Sequence, residues 1–155
     1  MPRVPGEPAP TVTASNQDGE SVTLAFAEPT VLYFYPEDGT PGCTTEAEQF
    51  QLELDTYREA GVDVYGVSTD TVASHREFAA ARGVGFDLLA DPDGEVTDRY
   101  SGTEETSHGL TGIAGTYVVD EDGTVRYEQV ADHPADRIYG NWVRHYVRNG
   151  YEDPF

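Results

Sequence analysis

A strand, a helix and a second strand follow one another between residues 30 and 67. Residues 30–35 read TVLYFY, an apolar, β-rich run typical of a strand that is covered on both faces. Beyond it, apolar residues recur at steps of 4, 3, 4 and 3, the spacing of one helix face: Cys43, Ala47, Phe50, Leu54 and Tyr57. Residues 62–67 (VDVYGV) form the next strand. Strand, helix and strand make a βαβ unit, so the two strands should lie parallel in one sheet with a right-handed crossover.

The ends of this helix are marked by residues with suitable backbone chemistry. Thr40 is a candidate N-cap, and Pro41 then takes the first helical position, where a missing N–H has no cost. Gly61 is expected to end the helix. Cys43 is therefore predicted near the third helical position.

Turn and periodicity signals divide the rest of the 155-residue chain into short elements. They predict an arm over residues 1–10, a hairpin of 11–14 with 21–24, a helix over 71–82, a strand over 86–90, a short helix over 95–100, a loop over 101–113, a hairpin of 116–120 with 124–129 and a helix over 134–148. No linker or repeat separates them. The chain is therefore predicted to be a single layered α/β domain over residues 1–155.

The charge of the chain is strongly acidic. Nine basic residues, all of them Arg, stand against 29 acidic ones, which gives a net charge of −20. Such a surface repels phosphate backbones and anionic lipid, so nucleic-acid binding and membrane binding are disfavoured. The acid is spread along the chain, which favours a salt-rich cytoplasm that screens the self-repulsion; the alternative is an ordinary soluble protein of high charge. No apolar run reaches the ~20 residues of a membrane span, and the start lacks an apolar signal core, so a cytoplasmic location is expected.

Cys43 is the strongest candidate for chemistry. At a helix N-terminus, free N–H groups and the helix dipole favour a thiolate, and cysteines at such positions can have a pKa lowered from ~8.5 to between ~3.5 and ~7.5. The preceding loop, residues 36–40, leaves the carboxyl end of a buried strand, where ligands bind in open α/β sheets. The alternative is a small core residue on the apolar stripe. Thr40, three residues before the sulfur, and Glu46, three after it, favour the functional interpretation.

The segment YFYPEDGTPGCTTEAEQF resembles the active-site segment of the peroxiredoxins, whose pattern is Pro-x-x-x-Thr/Ser-x-x-Cys. Pro36, Thr40 and Cys43 occupy its positions. The subgroup most similar is the bacterioferritin comigratory protein, or PrxQ, type, whose later landmarks appear as VYGVSTD (64–70), FDLLADPDGEV (86–96) and TYVVDEDGTV (116–125). The resemblance covers about residues 5–130.

This resemblance implies a thioredoxin-like fold, with a central mixed sheet flanked by helices, and reduction of hydrogen peroxide and organic hydroperoxides. Cys43 would be the peroxidatic nucleophile and Thr40 would hydrogen-bond the peroxide and sulfur. Pro36 would shield the pocket from water, and Glu46 would orient an Arg. No cofactor or metal is implied; the four His residues show no metal-ligand spacing, and DPDG and DEDG are interpreted as turns.

Two departures from the family pattern matter. Glu48 stands where the subgroup often has a resolving cysteine, and the chain has one Cys, so a one-Cys enzyme is expected, with an external thiol (a thioredoxin-like protein or a small thiol) or a second subunit resolving the sulfenic acid. The family's active-site Arg would fall at Ala114, or at Gly115 in a shifted register. Arg137 is the preferred replacement and Arg126 the other candidate.

Two functional hypotheses follow from these residues. The first is a thiol peroxidase acting as a monomer or homodimer. The alternative is a non-catalytic redox-sensing or binding domain, favoured by the missing Arg, in which Cys43 is oxidised without turnover.

Overall fold

A computed structural model describes residues 5–107, 109–130, 147, 150 and 151. Its elements in chain order are β1 (Thr13–Ser15), β2 (Ser21–Thr23), β3 (Thr30–Phe34), α1 (Pro41–Leu52), α2 (Leu54–Glu59), β4 (Asp63–Ser68), α3 (Val72–Arg82), β5 (Asp87–Ala90), α4 (Glu95–Arg99), β6 (Thr103–Thr106), β7 (Gly109–Gly112), β8 (Gly115–Val119) and β9 (Val125–Val130). The helix predicted over 134–148 lies outside the described residues except for Val147.

Seven strands form one mixed sheet in the order β2-β1-β5-β4-β3-β8-β9. The strands β3, β4 and β5 run parallel to one another, whereas β8 pairs antiparallel with both β3 and β9, and β1 pairs antiparallel with β5. The pairing of β3 with β4 confirms the parallel strands predicted from residues 30–67. All five residues of β3 are buried, because this strand has a neighbour on each side and a packed layer on each face.

Alternate residues of β3 belong to two hydrophobic cores, one on each face of the sheet. Val31 and Tyr33 pack with residues of α1, α2 and α3, including Cys43, Phe50 and Tyr57. Leu32 and Phe34 pack on the other face with residues of the first hairpin and of α4. The predicted α/β architecture, a mixed sheet flanked by helices, is confirmed.

The N-terminal arm lies against the last hairpin of the described chain. Gly6 N–H donates to Val125 O over 2.7 Å, and Ala9 N–H donates to Gly123 O over 2.8 Å. In return, Val125 N–H donates to Glu7 O over 2.9 Å. The described part of the arm is thus held by backbone hydrogen bonds, as expected of a segment lying on the domain.

Two elements differ from their sequence-based prediction. The single helix expected from Pro41 to Gly61 is divided at Glu53, whose φ of −100° and ψ of 5° leave helical geometry, and nothing in the sequence explains this break. Its hydrogen bonding continues, since Glu53 N–H donates to Gln49 O and Tyr57 N–H to Glu53 O. The predicted loop over 101–113 is wrong, because it contains the antiparallel pair β6–β7. Most of β6 is exposed, so it carries no apolar alternation that could reveal a strand.

Among the described helices, none combines the length and apolarity needed to cross a bilayer.

Candidate active site

Cys43 occupies the third residue of α1, as predicted. Pro41 is the first residue of the helix, and Thr40 precedes it with the extended backbone of a cap position (φ −73°, ψ 151°). The first helical hydrogen bond runs from Thr44 N–H to Thr40 O over 2.8 Å. Cys43 is 4% exposed and is a thiol outside any disulfide. The sulfur therefore lies at a helix N-terminus inside the core, where the helix dipole acts in a medium of low polarity.

Thr40 holds the cap position without making the predicted side-chain cap. No backbone N–H of α1 donates to its hydroxyl; instead, Thr40 Oγ1 donates to Glu37 O over 3.3 Å, within the loop of residues 36–40. This hydroxyl orients the loop rather than satisfying the helix. Pro36 begins the same loop and is half-buried at the end of β3.

Glu46 lies one turn beyond Cys43 on α1. Residues three apart are neighbours on a helix surface, so the carboxylate and the thiol share one face. Glu46 is 5% exposed, an unusual burial for a carboxylate. The Arg137 that was predicted as its partner lies outside the described residues.

A second polar cluster adjoins the 36–40 loop, and the sequence did not reveal it. His75, on α3, is fully buried; its Nδ1 lies 2.7 Å from Asp38 Oδ2 and its Nε2 lies 3.1 Å from Leu89 O. The Asp38 carboxylate also accepts from Tyr35 Oη over 2.7 Å and from Ser74 Oγ over 2.9 Å.

Asp70 joins this cluster through the backbone of the loop. Its Oδ2 accepts from the Asp38 N–H over 2.8 Å and from Ser68 Oγ over 2.6 Å. Burial raises the pKa of Asp70, an effect that the Ser68 hydroxyl opposes and the Asp38 charge reinforces. Burial also raises the pKa of Tyr35 well above its usual range, so this phenol remains a donor.

The ligand atoms of Asp38, Asp70 and His75 lie within 4.8 Å of one another, a spacing that a metal ion could use. Both His75 ring nitrogens, however, face hydrogen-bond acceptors. The geometry is that of a hydrogen-bonded cluster between the loop and α3. Asp38 and Asp70 follow the carboxyl ends of the parallel neighbours β3 and β4, which is the sequence signal that could have brought them together.

A family model described as AhpC/TSA matches residues 5–128. The chain belongs to the AhpC/TSA family. A peroxiredoxin Q of Triticum aestivum chloroplasts is 40% identical over 124 residues, covering 79% of this chain and 57% of the relative. A Mycobacterium tuberculosis protein named as a peroxiredoxin is 39% identical over 127 residues, covering 78% of this chain and 81% of the relative. The chain thus spans little more than half the length of the chloroplast relatives it matches.

Solved structures agree with this membership. Peroxiredoxin Q of Xanthomonas campestris superposes with a TM-score of 0.78 at 28% identity, covering 91% of this chain and 92% of that one. Peroxidoxin BcpB of Mycobacterium tuberculosis gives 0.77 at 28% identity, covering 85% and 91%. The thioredoxin-like peroxiredoxin fold and the likeness to the PrxQ type, both expected from the active-site segment, are confirmed.

In this chain, the end of the sheet that would carry the family's Arg is crowded at one of the two candidate positions. Gly115 pairs with Phe34, the last residue of β3, so it lies at the edge from which the 36–40 loop departs. A Cβ on Gly115 would lie 3.0 Å from Ser101 Cβ and 3.4 Å from Gln129 O. A side chain at Gly115 would require these neighbours to shift, which favours Ala114, of the two candidates, as the position equivalent to the family's Arg.

Arg126 is not a replacement for that cation. Its Nε lies 2.6 Å from Asp120 Oδ2, and its guanidinium lies 5.5 Å from the Tyr151 ring. It follows Val125, which pairs with Val119 at the end of β8 opposite to Gly115. Four residues of strand, about 13 Å, separate these ends. Arg126 therefore belongs to the far edge of the sheet.

Proposed function

We propose that this chain is a thiol-dependent peroxidase that reduces hydrogen peroxide and organic hydroperoxides through Cys43. The observation that carries the proposal is the placement of Cys43 at the N-terminus of α1, directly after the 36–40 loop, in a chain of this family. For the Xanthomonas campestris bacterioferritin comigratory protein, a similar structure, alkyl peroxide reduction activity has been examined with a trapped intermediate/ligand complex.

The first step oxidises the sulfur. The Cys43 thiolate attacks one peroxide oxygen, an S–O bond forms, the O–O bond breaks, and the leaving oxygen takes a proton to depart as water or an alcohol. Sulfur is oxidised to sulfenic acid and the peroxide is reduced. Backbone N–H groups at the start of α1 stabilise the charge that develops on oxygen, and the Thr40 hydroxyl adds to this by turning from Glu37 O toward the peroxide, while Pro36 limits the access of water.

The second step needs a thiol from outside the chain, because Glu48 takes the position of the resolving cysteine and Cys43 is the only cysteine. The thiol condenses with the sulfenic acid, releasing water, and a further thiol reduces the mixed disulfide. We propose a thioredoxin-like protein or a low-molecular-weight thiol as this reductant, in a salt-rich cytoplasm. A monomer or a homodimer is compatible with this chemistry.

Arg137 is proposed as the cation held by Glu46 near the sulfur. Its loss should slow sulfenic acid formation by ~10²–10³-fold, as does loss of one oxyanion-hole donor. Arg126→Ala is the matched control, since it removes the same charge at the far edge of the sheet. Equal rates in the two variants would contradict the assignment of Arg137.

Intact mass after stoichiometric peroxide tests the oxidation step. The protein should gain one oxygen that a sulfenic-acid reagent traps, and Cys43→Ser should gain none. Equal oxidation of both would contradict the proposal.

Peroxide consumption with a dithiol at high salt then distinguishes the second candidate, a redox sensor or binding domain, which the missing cation at Ala114 favours. A sensor would be oxidised once without turnover, whereas a peroxidase consumes peroxide catalytically.

A further inference from the structure

Asp38 is the anchor of the 36–40 loop. Its backbone N–H donates to Asp70, and its carboxylate accepts from Tyr35, Ser74 and His75, with every distance between 2.7 and 2.9 Å. These partners come from the residue directly after β3, from the segment after β4 and from α3. The middle of the loop is thus fixed to three separate parts of the fold, and the Asp38 side chain is only 5% exposed.

The His75 ring is held from both sides. Leu89 O can only accept, so Nε2 carries a proton and donates to it. On the other side, Nδ1 lies 2.7 Å from Asp38 Oδ2, which also accepts from the Ser74 hydroxyl. His75 and Asp38 therefore form a buried hydrogen-bonded pair, in which the His75 side chain is 0% and the Asp38 side chain 5% exposed.

The position of this pair relates it to the reaction. Asp38 lies midway between Pro36 and Thr40, and Thr40 leads directly into the helix of Cys43. We infer that His75, acting through Asp38, is a positioning residue that holds the 36–40 loop and Thr40 in the geometry required for peroxide attack by Cys43. The inference rests on the proposed peroxidase function. Displacements of about 1 Å in such a supporting element can lower reaction rates by ~10²-fold.

Two substitutions of His75 separate this role from simple packing. In His75→Asn, the amide nitrogen takes approximately the place of Nδ1 and can still donate to Asp38. In His75→Gln, it takes approximately the place of Nε2 and can donate to Leu89 O, while the bond to the loop is lost. Both variants remove the imidazole ring, so they differ mainly in which neighbour keeps its donor.

Two rates should be measured on each variant in 2 M potassium chloride: oxidation of Cys43 by hydrogen peroxide, and alkylation of Cys43 by iodoacetamide. Peroxide attack needs the loop geometry, whereas alkylation needs the thiolate and access to it. We expect His75→Gln to slow oxidation by ~10–100-fold and alkylation by less than ~3-fold, and His75→Asn to recover most of the oxidation rate. Ser74→Ala, which removes one donor to Asp38 from a half-buried position, should show a smaller loss with the fold intact.

Several outcomes would overturn the inference. His75→Gln could oxidise as fast as the unchanged protein, or the Asn and Gln variants could lose oxidation and alkylation equally, which would indicate a packing role. If His75→Gln does not fold, an unchanged oxidation rate in Ser74→Ala would count against the inference. Oxidation of the unchanged protein distinguishes a failure of the proposed function from a failure of the positioning role. If its Cys43 is not oxidised by peroxide, the proposed function fails and the inference fails with it. If it is oxidised normally and the variants are oxidised equally fast, only the positioning role is refuted.

Discussion

Gly66→Ala should destabilise the protein through the core that supports the Cys43 helix. Gly66 lies in β4, and a Cβ there would lie 2.8 Å from Tyr33 Cζ and Oη and 2.9 Å from Leu88 Cδ2. Because carbon atoms attract best at ~3.5–4.0 Å, the new methyl carbon would be about 0.7 Å too close to Tyr33 Cζ. The structure has to move to accept it.

Tyr33 has little freedom to move. It is 0% exposed, and its ring stacks on Phe50 of α1 with centroids 4.4 Å apart and on Tyr35 with centroids 5.5 Å apart. Overpacking of this kind costs ~1–3 kcal/mol. At ~2–4 °C for each kcal/mol in a domain of this size, the melting temperature should fall by roughly 2–12 °C.

The assay is thermal unfolding followed by circular dichroism in 2 M potassium chloride. Gly85→Ala is the matched control, because its Cβ would meet Gln51 Oε1 at 3.3 Å, the far end of a flexible side chain. Both changes lower the entropy of the unfolded chain equally, so the difference between the variants reports the contact with Tyr33. Equal melting temperatures for the two variants would refute the packing argument.

Four further predictions concern charge and oxidation. The melting temperature should rise with potassium chloride past 1 M, because the Debye length falls from ~10 Å at 0.1 M to ~3 Å at 1 M around a chain of net charge −20; a flat response from 0.1 to 2 M would contradict salt adaptation. Burial raises the pKa of Asp87, with Asp18 and Glu20 adding repulsion, so its charge opposes folding above the usual 3.8; Asp87→Asn should raise the melting temperature at pH 7, and the gain should shrink toward pH 4. Burial alone would raise the pKa of Asp120, but the Thr124 N–H and the Arg126 guanidinium hold it below 3.8. The ionised Asp120 carboxylate therefore stabilises the folded state at pH 7, and this stabilisation is lost only as the pH falls through the lowered pKa. Asp120→Asn should accordingly lower the melting temperature at pH 7. Finally, peroxide should give no intrachain disulfide, and a non-reducing gel will show either monomer or a dimer linked through two copies of Cys43.

Local patterns predicted the central elements well, because their signals are short-range. The apolar run 30–35 and the helical spacing from Cys43 to Tyr57 each report burial on a regular element. The β6–β7 hairpin was missed for the opposite reason. Its strands cover little of the core, and their turn and exposed Glu residues look like a polar loop.

The candidate site shows the same contrast between short-range relations, which the sequence reveals, and long-range contacts, which it does not. Pro36, Thr40 and Cys43 lie within eight residues, so one motif contains their relation. His75 and Asp38 are 37 residues apart, and their contact exists only because β3 and β4 are parallel neighbours whose carboxyl ends meet. From the sequence alone, His75 is interpreted as an ordinary histidine, since neither its spacing nor its neighbours indicate a carboxylate partner.

The pairing of Asp38 is also relevant to the ionisation of the Cys43 thiol in this acidic chain. Residues 36–40 place two carboxylates, Glu37 and Asp38, in the loop that leads to Cys43, and negative charges close to a thiol disfavour its ionised form. Because position 114 holds Ala where the family has Arg, the described residues around Cys43 supply little positive charge. His75 Nδ1 lies 2.7 Å from Asp38 Oδ2, and two hydroxyl groups donate to the same carboxyl group. The contact that fixes the loop therefore also keeps one of its two carboxyl groups hydrogen-bonded, which links the geometry of peroxide attack to the electrostatic environment of the sulfur.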